Sequence, residues 1–290
     1  MTRIDLDRSA VASDRRTAEW LGCGLGLRRE HHDAVLRERQ RVGFFELISE
    51  NFMIEGGKPL QVLERVRAVY PVALHGVSAS LGSAEPLDAL YLGRLARLVE
   101  RVDPVIVSDH LCWSRIGGHS SHDLLPLPFT AESVQVTSAN IRRVQDRLGR
   151  RILVENVSTY LRFSGSSLTE WEFVAAVAEE ADCGILLDLN NVYVNARNHG
   201  FEPTTYLAAL PPSRIGQYHL GGHQDHGDHV LDTHDHPIVG TVWDLYRAAV
   251  RRFGPRPTII ERDGDIPPLE TLLAETHLAE EVLDASLAVA

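Results

Sequence analysis

Short apolar runs recur along the chain, and each ends in polar side chains. The run RILVE ends at Glu155, for example, and GILLD ends at Asp188. Uninterrupted aliphatic and β-branched runs of about four to eight residues are typical of strands buried in a parallel sheet. Eight such segments are present: LGCGLGL (21–27), GFFELISEN (43–51), PVALHGVSAS (71–80), PVIVSDHLCW (104–113), RILVENVS (151–158), GILLDLNN (184–191), IGQYHLGG (215–222) and PTIIERD (257–263).

The segments between these runs have apolar residues at helical spacing or connect the elements as polar loops. They predict helices over 56–70, 87–102, 131–148, 168–181, 204–210 and 242–253, with closing helices in 267–290 and long loops over 114–130 and 223–237. Eight strands that alternate with helices predict a single-domain α/β fold, the (β/α)8 TIM barrel, over residues 17–290. Residues 1–16 are polar and are predicted to form a flexible N-terminal tail.

Composition narrows the class of protein. The 290 residues are 44% hydrophobic, which suffices for one core, and the net charge of -11 disfavours a nucleic-acid partner, since phosphate binding needs an excess of Lys and Arg. The N-terminus lacks the apolar run of a signal peptide, and no segment has the length of a membrane span, so a cytoplasmic protein without a membrane partner is expected. Cys23, Cys112 and Cys183 form no CxxC pair and are predicted to be reduced core thiols. The spacing of Gly22, Gly24 and Gly26 does not match a dinucleotide-binding turn, and close backbone packing is the better interpretation.

The polar residues that follow the strands indicate a metal site. In a (β/α)8 barrel the carboxyl ends of all strands meet at one mouth. One histidine or carboxylate there has an ordinary explanation as a hydrogen-bonded or ion-paired group, but many buried carboxylates together are costly unless they bind a cation. Imidazole mixed with hard oxygen donors suits iron, zinc or manganese. The set exceeds what one ion needs, so about two or three ions bridged by Glu155 or Glu261 are predicted; the candidate ligands are His75, His110, Glu155, Asp188, His219, Asp232, His234 and Glu261.

The motifs also carry a family resemblance. The chain resembles the multinuclear non-haem iron-dependent oxidases, and the resemblance covers residues 21 to 269. The motifs that carry it are GFFELISEN, HGVSASLG, SDHLCW, HDLLPLPFT, ILVENVS, LDLNNVYVNARNHGF, YHLGGH, DTHDHP and IIERD. The resemblance implies a xylose-isomerase-like barrel with two or three irons in mixed Fe(II)/Fe(III) states. It further implies that dioxygen is used to modify cysteine or another residue of a ribosomal precursor peptide, often with a small leader-binding partner protein.

The resemblance also assigns roles to individual residues. It implies the eight ligands above, together with Asn191, which stands where the endonuclease IV group has a histidine, and it places Glu155, Asp188 and Asn191 at the reacting centre. A second set of residues is expected either to orient ligands or to contact substrate: Glu50, Asp109, His122, Asn156 and His223.

Two other functions remain open on the sequence. The first is a zinc- or manganese-dependent hydrolase or isomerase of the endonuclease IV or xylose isomerase type, which the acidic, His-rich loop at 223–237 disfavours for a DNA substrate. The second is a protein that binds metal without catalysis, which the same His-rich loop favours.

Overall fold

A computed structural model describes residues 21–288 of the protein, so the predicted tail at 1–16 lies outside the described residues. The strands are β1 (Cys23–Gly26), β2 (Phe45–Ile48), β3 (Val72–Gly76), β4 (Ile106–His110), β5 (Trp113–Ile116), β6 (His119–Leu125), β7 (Leu153–Glu155), β8 (Gly184–Asp188), β9 (Ile215–Leu220), β10 (Gln224–Asp225), β11 (Val230–Leu231) and β12 (Thr258–Ile260). The α-helices are α1 (His32–Arg37), α2 (Lys58–Arg67), α3 (Ala89–Val102), α4 (Ala131–Leu148), α5 (Glu170–Ala181), α6 (Leu189–His199), α7 (Pro203–Ala209), α8 (Gly240–Phe253) and α9 (Leu269–Ala288).

Eight of these strands close into a barrel, which confirms the predicted fold. Around the barrel the order is β1, β2, β3, β4, β7, β8, β9 and β12, and β12 pairs with β1 to complete the ring. Every neighbouring pair is parallel. All eight carboxyl ends therefore lie at the same end of the barrel.

The barrel interior has an apolar layer below a polar layer. Phe44, Ala73, Ile106 and Ile259 form a buried cluster, against which Leu153 packs. Side chains two residues apart on a strand point to the same face. The residues two positions further along these five segments are Glu46, His75, Ser108, Glu155 and Glu261, and all of them are buried. These polar residues thus lie above the buried apolar cluster, at the carboxyl end of the barrel.

The glycine-rich first strand leaves space for Phe44, a member of the buried apolar cluster. A Cβ atom on Gly24 would lie 2.5 Å from the carbonyl oxygen of Phe44 and 2.8 Å from its ring. Gly24 is therefore required for Phe44 to fill the bottom of the barrel, in agreement with the predicted packing role.

Several segments differ from the sequence prediction. Helix α1 and the antiparallel pair of β10 and β11, within the predicted loop at 223–237, were not predicted. Part of the predicted loop at 114–130 belongs to the antiparallel hairpin of β5 and β6. The segment after strand β8, expected to be a connection, is helix α6, and the predicted closing helices are one helix, α9, within the described residues. The run LNNVYVNARNH in α6 is rich in Asn and Val, which have low helix propensity. The helix is nevertheless initiated by Asp188, whose side chain accepts a hydrogen bond from the backbone N–H of Asn191 at 2.5 Å.

Two expectations from composition can be compared with the fold. Cys23, Cys112 and Cys183 are free and buried, as predicted. Among residues 21–288, no helix combines the length and the apolar character needed to cross a membrane.

Candidate metal centre

Glu155, the last residue of β7, lies at the centre of the polar layer. Its Oε2 atom is 3.0 Å from His75 Nε2 and 3.2 Å from His110 Nε2. Its Oε1 atom is 3.4 Å from His219 Nδ1. These histidines come from β3, β4 and β9, so one carboxylate faces three imidazoles that closure of the barrel brings together.

Further carboxylates extend the cluster on the side of β8 and β12. One potential ligand atom from each of Glu155, Asp188, His219 and Glu261 lies within 4.8 Å of the others. Glu261 Oε2 is 3.1 Å from His219 Nδ1. Two groups of potential ligands therefore share Glu155 and His219, as expected for ions bridged by a carboxylate.

Asp232 and His234 complete the cluster from the loop that follows β11. His234 Nε2 is 2.7 Å from Asp232 Oδ1 and 4.0 Å from Asp188 Oδ2. His234 has a left-handed backbone (φ 47°), and its N–H donates to the Gly222 carbonyl at 3.0 Å. The loop thus holds the imidazole directly against the strand end.

Several ligand atoms in this cluster lack hydrogen bonds despite their short separations. Within the described part of the chain, Glu155 Oε2, Asp188 Oδ2, Asn191 Oδ1, His219 Nδ1 and His234 Nε2 are buried without a hydrogen-bond partner. Buried polar atoms without partners are costly, and a cation placed among them would satisfy several at once. The donor set of imidazole and carboxylate groups fits iron, zinc or manganese.

The electrostatics of the cluster also favour a cation. Burial alone would raise the pKa of Glu155 and Glu261, but the neighbouring histidines outweigh it and hold both pKa values below the ordinary range. Burial lowers the pKa of His75, yet Glu155 and Glu46 raise it to about 9. Burial and the Glu155 charge raise the pKa of Asp188. Imidazole protons thus compensate Glu155 and Glu261 but not Asp188, and a metal ion would replace those protons on binding.

Polar partners behind the cluster fix the orientation of three of its four histidines, His75, His110 and His219. Ser108 Oγ lies 2.7 Å from His75 Nδ1, and the Gly76 carbonyl lies 2.9 Å from His110 Nδ1. Glu46 Oε1 lies 2.9 Å from His219 Nε2. In each case the other ring nitrogen is the one that faces Glu155. Such partners set the tautomer of a metal-binding histidine.

Two residues of the second predicted set, His223 and Asn156, are linked by hydrogen bonds to the candidate ligands Asp232 and Asp188. His223 Nδ1 is 2.7 Å from Asn190 Oδ1, and Asn190 Nδ2 donates to Asp232 Oδ1 at 2.8 Å. Asn156 accepts a hydrogen bond from the Asp188 backbone N–H and donates to the Asp188 carbonyl, each at 3.0 Å. His223 therefore acts on Asp232 through Asn190, and Asn156 holds the end of β8.

Three other residues of that set lie away from the cluster. Asp109 points towards the helix layer, where the Tyr91 hydroxyl of α3 donates to Glu50 Oε1 at 2.8 Å and lies 3.4 Å from Asp109 Oδ2. Burial and the Glu50 charge raise the pKa of Asp109 to about 7. His122 is exposed on the β5–β6 hairpin. None of these three described side chains belongs to the groups of potential ligands.

The sequence interpretation also missed residues that the structure places at the centre. Glu46 and Gln217 are buried beside His219, and Gln217 Nε2 donates to Glu46 Oε2 at 2.6 Å. Asp263 lies beside His234, with its Oδ2 atom 3.7 Å from His234 Nδ1. A charged residue in the middle of the apolar run FFELI was the available signal for Glu46.

A cavity of about 230 Å³ connects the cluster to the surface. Its deep wall carries His75, His110, Glu155, Asn191 and His234, and its rim includes Asp123 and Leu124 of the hairpin and Ser158 and Tyr160 of the segment after β7. The arrangement is a group of potential metal ligands at the bottom of a depression large enough for one or two side chains of a substrate.

The sequence of the chain matches one known protein family over most of its length. A sequence model described as "RiPP precursor modification enzyme MbnB/TglH/ChrH" matches residues 22–284. The chain belongs to this family. RiPP denotes a ribosomally synthesised and post-translationally modified peptide, so the family consists of enzymes that act on precursor peptides. The resemblance inferred from the motifs is thereby confirmed.

Relatives of this family member carry the name UPF0276 protein. One from Anaeromyxobacter sp. (strain Fw109-5) is 54% identical over 272 residues, which cover 94% of this chain and 96% of the relative. One from Caulobacter vibrioides (strain NA1000 / CB15N) is 53% identical over 259 residues, which cover 89% and 92%.

Solved structures share the barrel. Endonuclease IV from Thermus thermophilus has a TM-score of 0.59 at 17% identity and covers 93% of this chain and 100% of its own. D-Psicose 3-epimerase from Clostridium cellulolyticum H10 has a TM-score of 0.58 at 10% identity and covers 92% and 99%. At this level of identity the likeness concerns the fold alone.

Proposed function

We propose that the protein is a multinuclear non-haem iron oxidase that uses dioxygen to modify cysteine, or another residue, in a ribosomally synthesised precursor peptide. The observation that carries the proposal is the set of buried imidazole and carboxylate atoms around Glu155 that lack hydrogen-bond partners among the described residues. Membership in a family of precursor-modifying enzymes supports a peptide as substrate.

The metal ligands in this proposal are His75, His110, Glu155, Asp188, Asn191, His219, Asp232, His234 and Glu261. When bound, iron supplies the redox capacity for dioxygen chemistry and the Lewis acidity that lowers the pKa of a coordinated thiol. About two or three ions fit the number of donors.

The protein's own contribution is to hold these donors in place. Ser108, the Gly76 carbonyl and Glu46 orient His75, His110 and His219 so that one ring nitrogen of each faces Glu155. Asp188 Oδ1 is held by the Asn191 backbone N–H at 2.5 Å, which leaves Oδ2 directed into the cluster. Oriented donors with few competing hydrogen bonds keep the coordination geometry constant during a reaction.

Asn191 differs from the other proposed ligands because it offers a neutral amide oxygen. Its Nδ2 atom donates to the Asn156 carbonyl at 3.0 Å, so its Oδ1 atom is the free donor of the amide. A neutral amide oxygen is a weaker ligand than an imidazole or a carboxylate, so Asn191 would hold an ion less tightly than the other proposed ligands and would yield more readily to an incoming ligand. Glu155, Asp188 and Asn191 are therefore proposed to surround the reacting atoms.

The rim of the cavity is proposed to receive the precursor peptide. Ser158 Oγ donates to Asp232 Oδ2 at 3.0 Å, and the Tyr160 hydroxyl accepts from the Asp232 backbone N–H at 3.0 Å, so the rim is fastened to the ligand loop. Tyr160 and Leu161 have exposed fractions of 53% and 54%. Exposed apolar side chains beside a cavity are typical of a binding surface. A small leader-binding partner protein is part of the proposal.

The proposal is tested on protein purified without oxygen. Elemental analysis and Mössbauer spectroscopy on one sample are expected to give about two or three irons per chain with a mixed-valence signal. Incubation with the precursor peptide, reductant and oxygen is expected to change the peptide mass, and the same mixture under strict anaerobiosis is expected to leave it unchanged. A control protein carrying Glu155→Gln is expected to leave the peptide unmodified in both conditions.

Two other results would contradict the proposed oxidase function. Zinc or manganese with negligible iron after growth in iron-rich medium, together with activity that persists without oxygen, would replace the oxidase with a hydrolase or isomerase. Metal binding without any change of peptide mass in the presence of the correct precursor and partner would point to a role in metal binding alone.

A further inference from the structure

A third group of potential ligands lies on the other edge of the His234 ring. His234, Glu261 and Asp263 each offer an atom within 4.8 Å of the others. His234 Nδ1 is 3.6 Å from Glu261 Oε2 and 3.7 Å from Asp263 Oδ2. The opposite nitrogen, Nε2, faces Asp232 and Asp188. His234 therefore lies between two places with the chemistry of a cation site.

One of these two places already has a cation beside it. Arg28, in the segment after β1, has a side chain that is only 13% exposed. Its Nη2 atom donates to Asp263 Oδ1 and is 3.7 Å from Glu261 Oε1. Its Nε atom donates to the Arg262 carbonyl at 2.7 Å, which fixes the plane of the guanidinium. Arg28 thus contacts both carboxylates of the third group.

We propose that Arg28 is the resident cation of the His234–Glu261–Asp263 group and restricts metal ions to the Nε2 side of His234. The inference rests on the proposed metal centre and defines which side of His234 its metal ions occupy. A guanidinium is always charged and matches a carboxylate in shape, so it compensates Glu261 and Asp263 without a metal. A divalent ion on the Nδ1 side would be repelled by Arg28 at short range.

The same arrangement sets the tautomer of His234. The Nδ1 atom faces the carboxylate oxygens of Glu261 and Asp263, which accept hydrogen bonds, so in the neutral ring the proton is on Nδ1. The lone pair is then on Nε2, directed at the side that holds Asp232 and Asp188. The hydrogen bond at one ring nitrogen decides which nitrogen binds a metal. Arg28 is thus a positioning residue that acts on the cluster through Glu261, Asp263 and His234.

The test counts ions and does not depend on catalysis. Full-length apoprotein is loaded with Zn²⁺, freed of excess metal by gel filtration and subjected to elemental analysis. Arg28→Gln is expected to bind one more ion per chain than the natural protein. Asp263→Asn in the Arg28→Gln background is expected to remove that extra ion. Arg29→Gln, an exposed neighbour with the same change of charge, is the matched control and is expected to leave the count unchanged.

Asp263→Asn in the otherwise natural chain gives a result that does not depend on the folding of Arg28→Gln. Because the Asp263 side chain is 44% exposed, this variant is expected to fold. It is expected to leave the ion count unchanged. Loss of an ion from this single variant would overturn the proposal, since a metal and not Arg28 would then occupy the group. An unchanged count in folded Arg28→Gln would overturn it as well. Absence of any bound ion in the natural chain would instead contradict the proposed function.

Discussion

Glu155 Oε2 and His75 Nε2 lie 3.0 Å apart in the barrel, yet this oxygen accepts no hydrogen bond from any described residue. Ion pairs are stabilising in the interior only when hydrogen bonds satisfy the charged atoms. The unsatisfied Glu155 Oε2 atom beside His75 and His110 therefore favours a cation in the cluster over a network of buried ion pairs.

Replacement of the central carboxylate tests the cluster directly. Because Glu155 faces three imidazoles and belongs to two groups of potential ligands, Glu155→Gln is expected to weaken metal binding by more than about 100-fold, beyond the effect typical of outer-shell changes. Equilibrium dialysis followed by elemental analysis measures the loss. Glu100→Gln, an exposed position on α3, is the matched control. Natural affinity in folded Glu155→Gln would refute the central role of this carboxylate.

Substitution of Glu46 tests whether this residue orients His219 or binds a metal ion itself. Its carboxylate lies 2.9 Å from His219 Nε2, on the ring edge away from Glu155. Glu46→Gln retains an acceptor for that nitrogen but removes a negative charge that would strengthen His219 as a ligand. The affinity for metal is expected to fall by about 10- to 100-fold while the number of ions at saturation stays the same. A smaller number at saturation would show that Glu46 itself binds an ion.

Gly221 provides a steric test of His234. A Cβ atom at this position would lie 2.4 Å from His234 Cδ2 and 2.7 Å from His234 Nε2. Gly221→Ala is therefore expected to displace the imidazole and to remove one ion per chain, as counted by elemental analysis, while circular dichroism shows an intact barrel. Gly240→Ala is the control, because a Cβ there meets no described atom within 4 Å. A full ion count in Gly221→Ala would mean that His234 is dispensable.

Glu170 gives a pH dependence outside the metal cluster. Burial raises its pKa from 4.5 to about 7, although Tyr206 and Asn195 donate hydrogen bonds to it at 3.0 and 2.9 Å. A carboxyl group with a raised pKa in the folded state contributes its full stability below pH 4.5, and this contribution is lost as the pH rises towards 7. The loss is roughly 3 kcal/mol.

The variant Glu170→Gln lacks this titration. The free energy of unfolding of both proteins is measured by urea denaturation across this pH range. The value for Glu170→Gln minus that for the natural protein is expected to rise between pH 4.5 and about 7 and to stay constant at higher pH. Parallel curves across the whole range would show that Glu170 keeps an ordinary pKa in the folded state.

The pattern of apolar runs and intervening helical segments was sufficient to predict the barrel. Each strand can be recognised locally, since a continuous apolar run is buried on both faces whatever its neighbours are. The convergence of strand-end residues also followed, because parallel strands in a barrel share one carboxyl end. Glu155, Asp188, His219 and Glu261 were identified in this way and lie together in the structure.

The tertiary structure alone decided which of these polar residues meet. Asp109 and His110 are adjacent in sequence, yet His110 faces Glu155 while Asp109 faces Tyr91, because successive side chains on a strand point in opposite directions. Arg28 meets Asp263 only because β1 pairs with β12 when the barrel closes. Local pattern determines that a residue is buried at a strand end, whereas strand register and ring closure determine its partners.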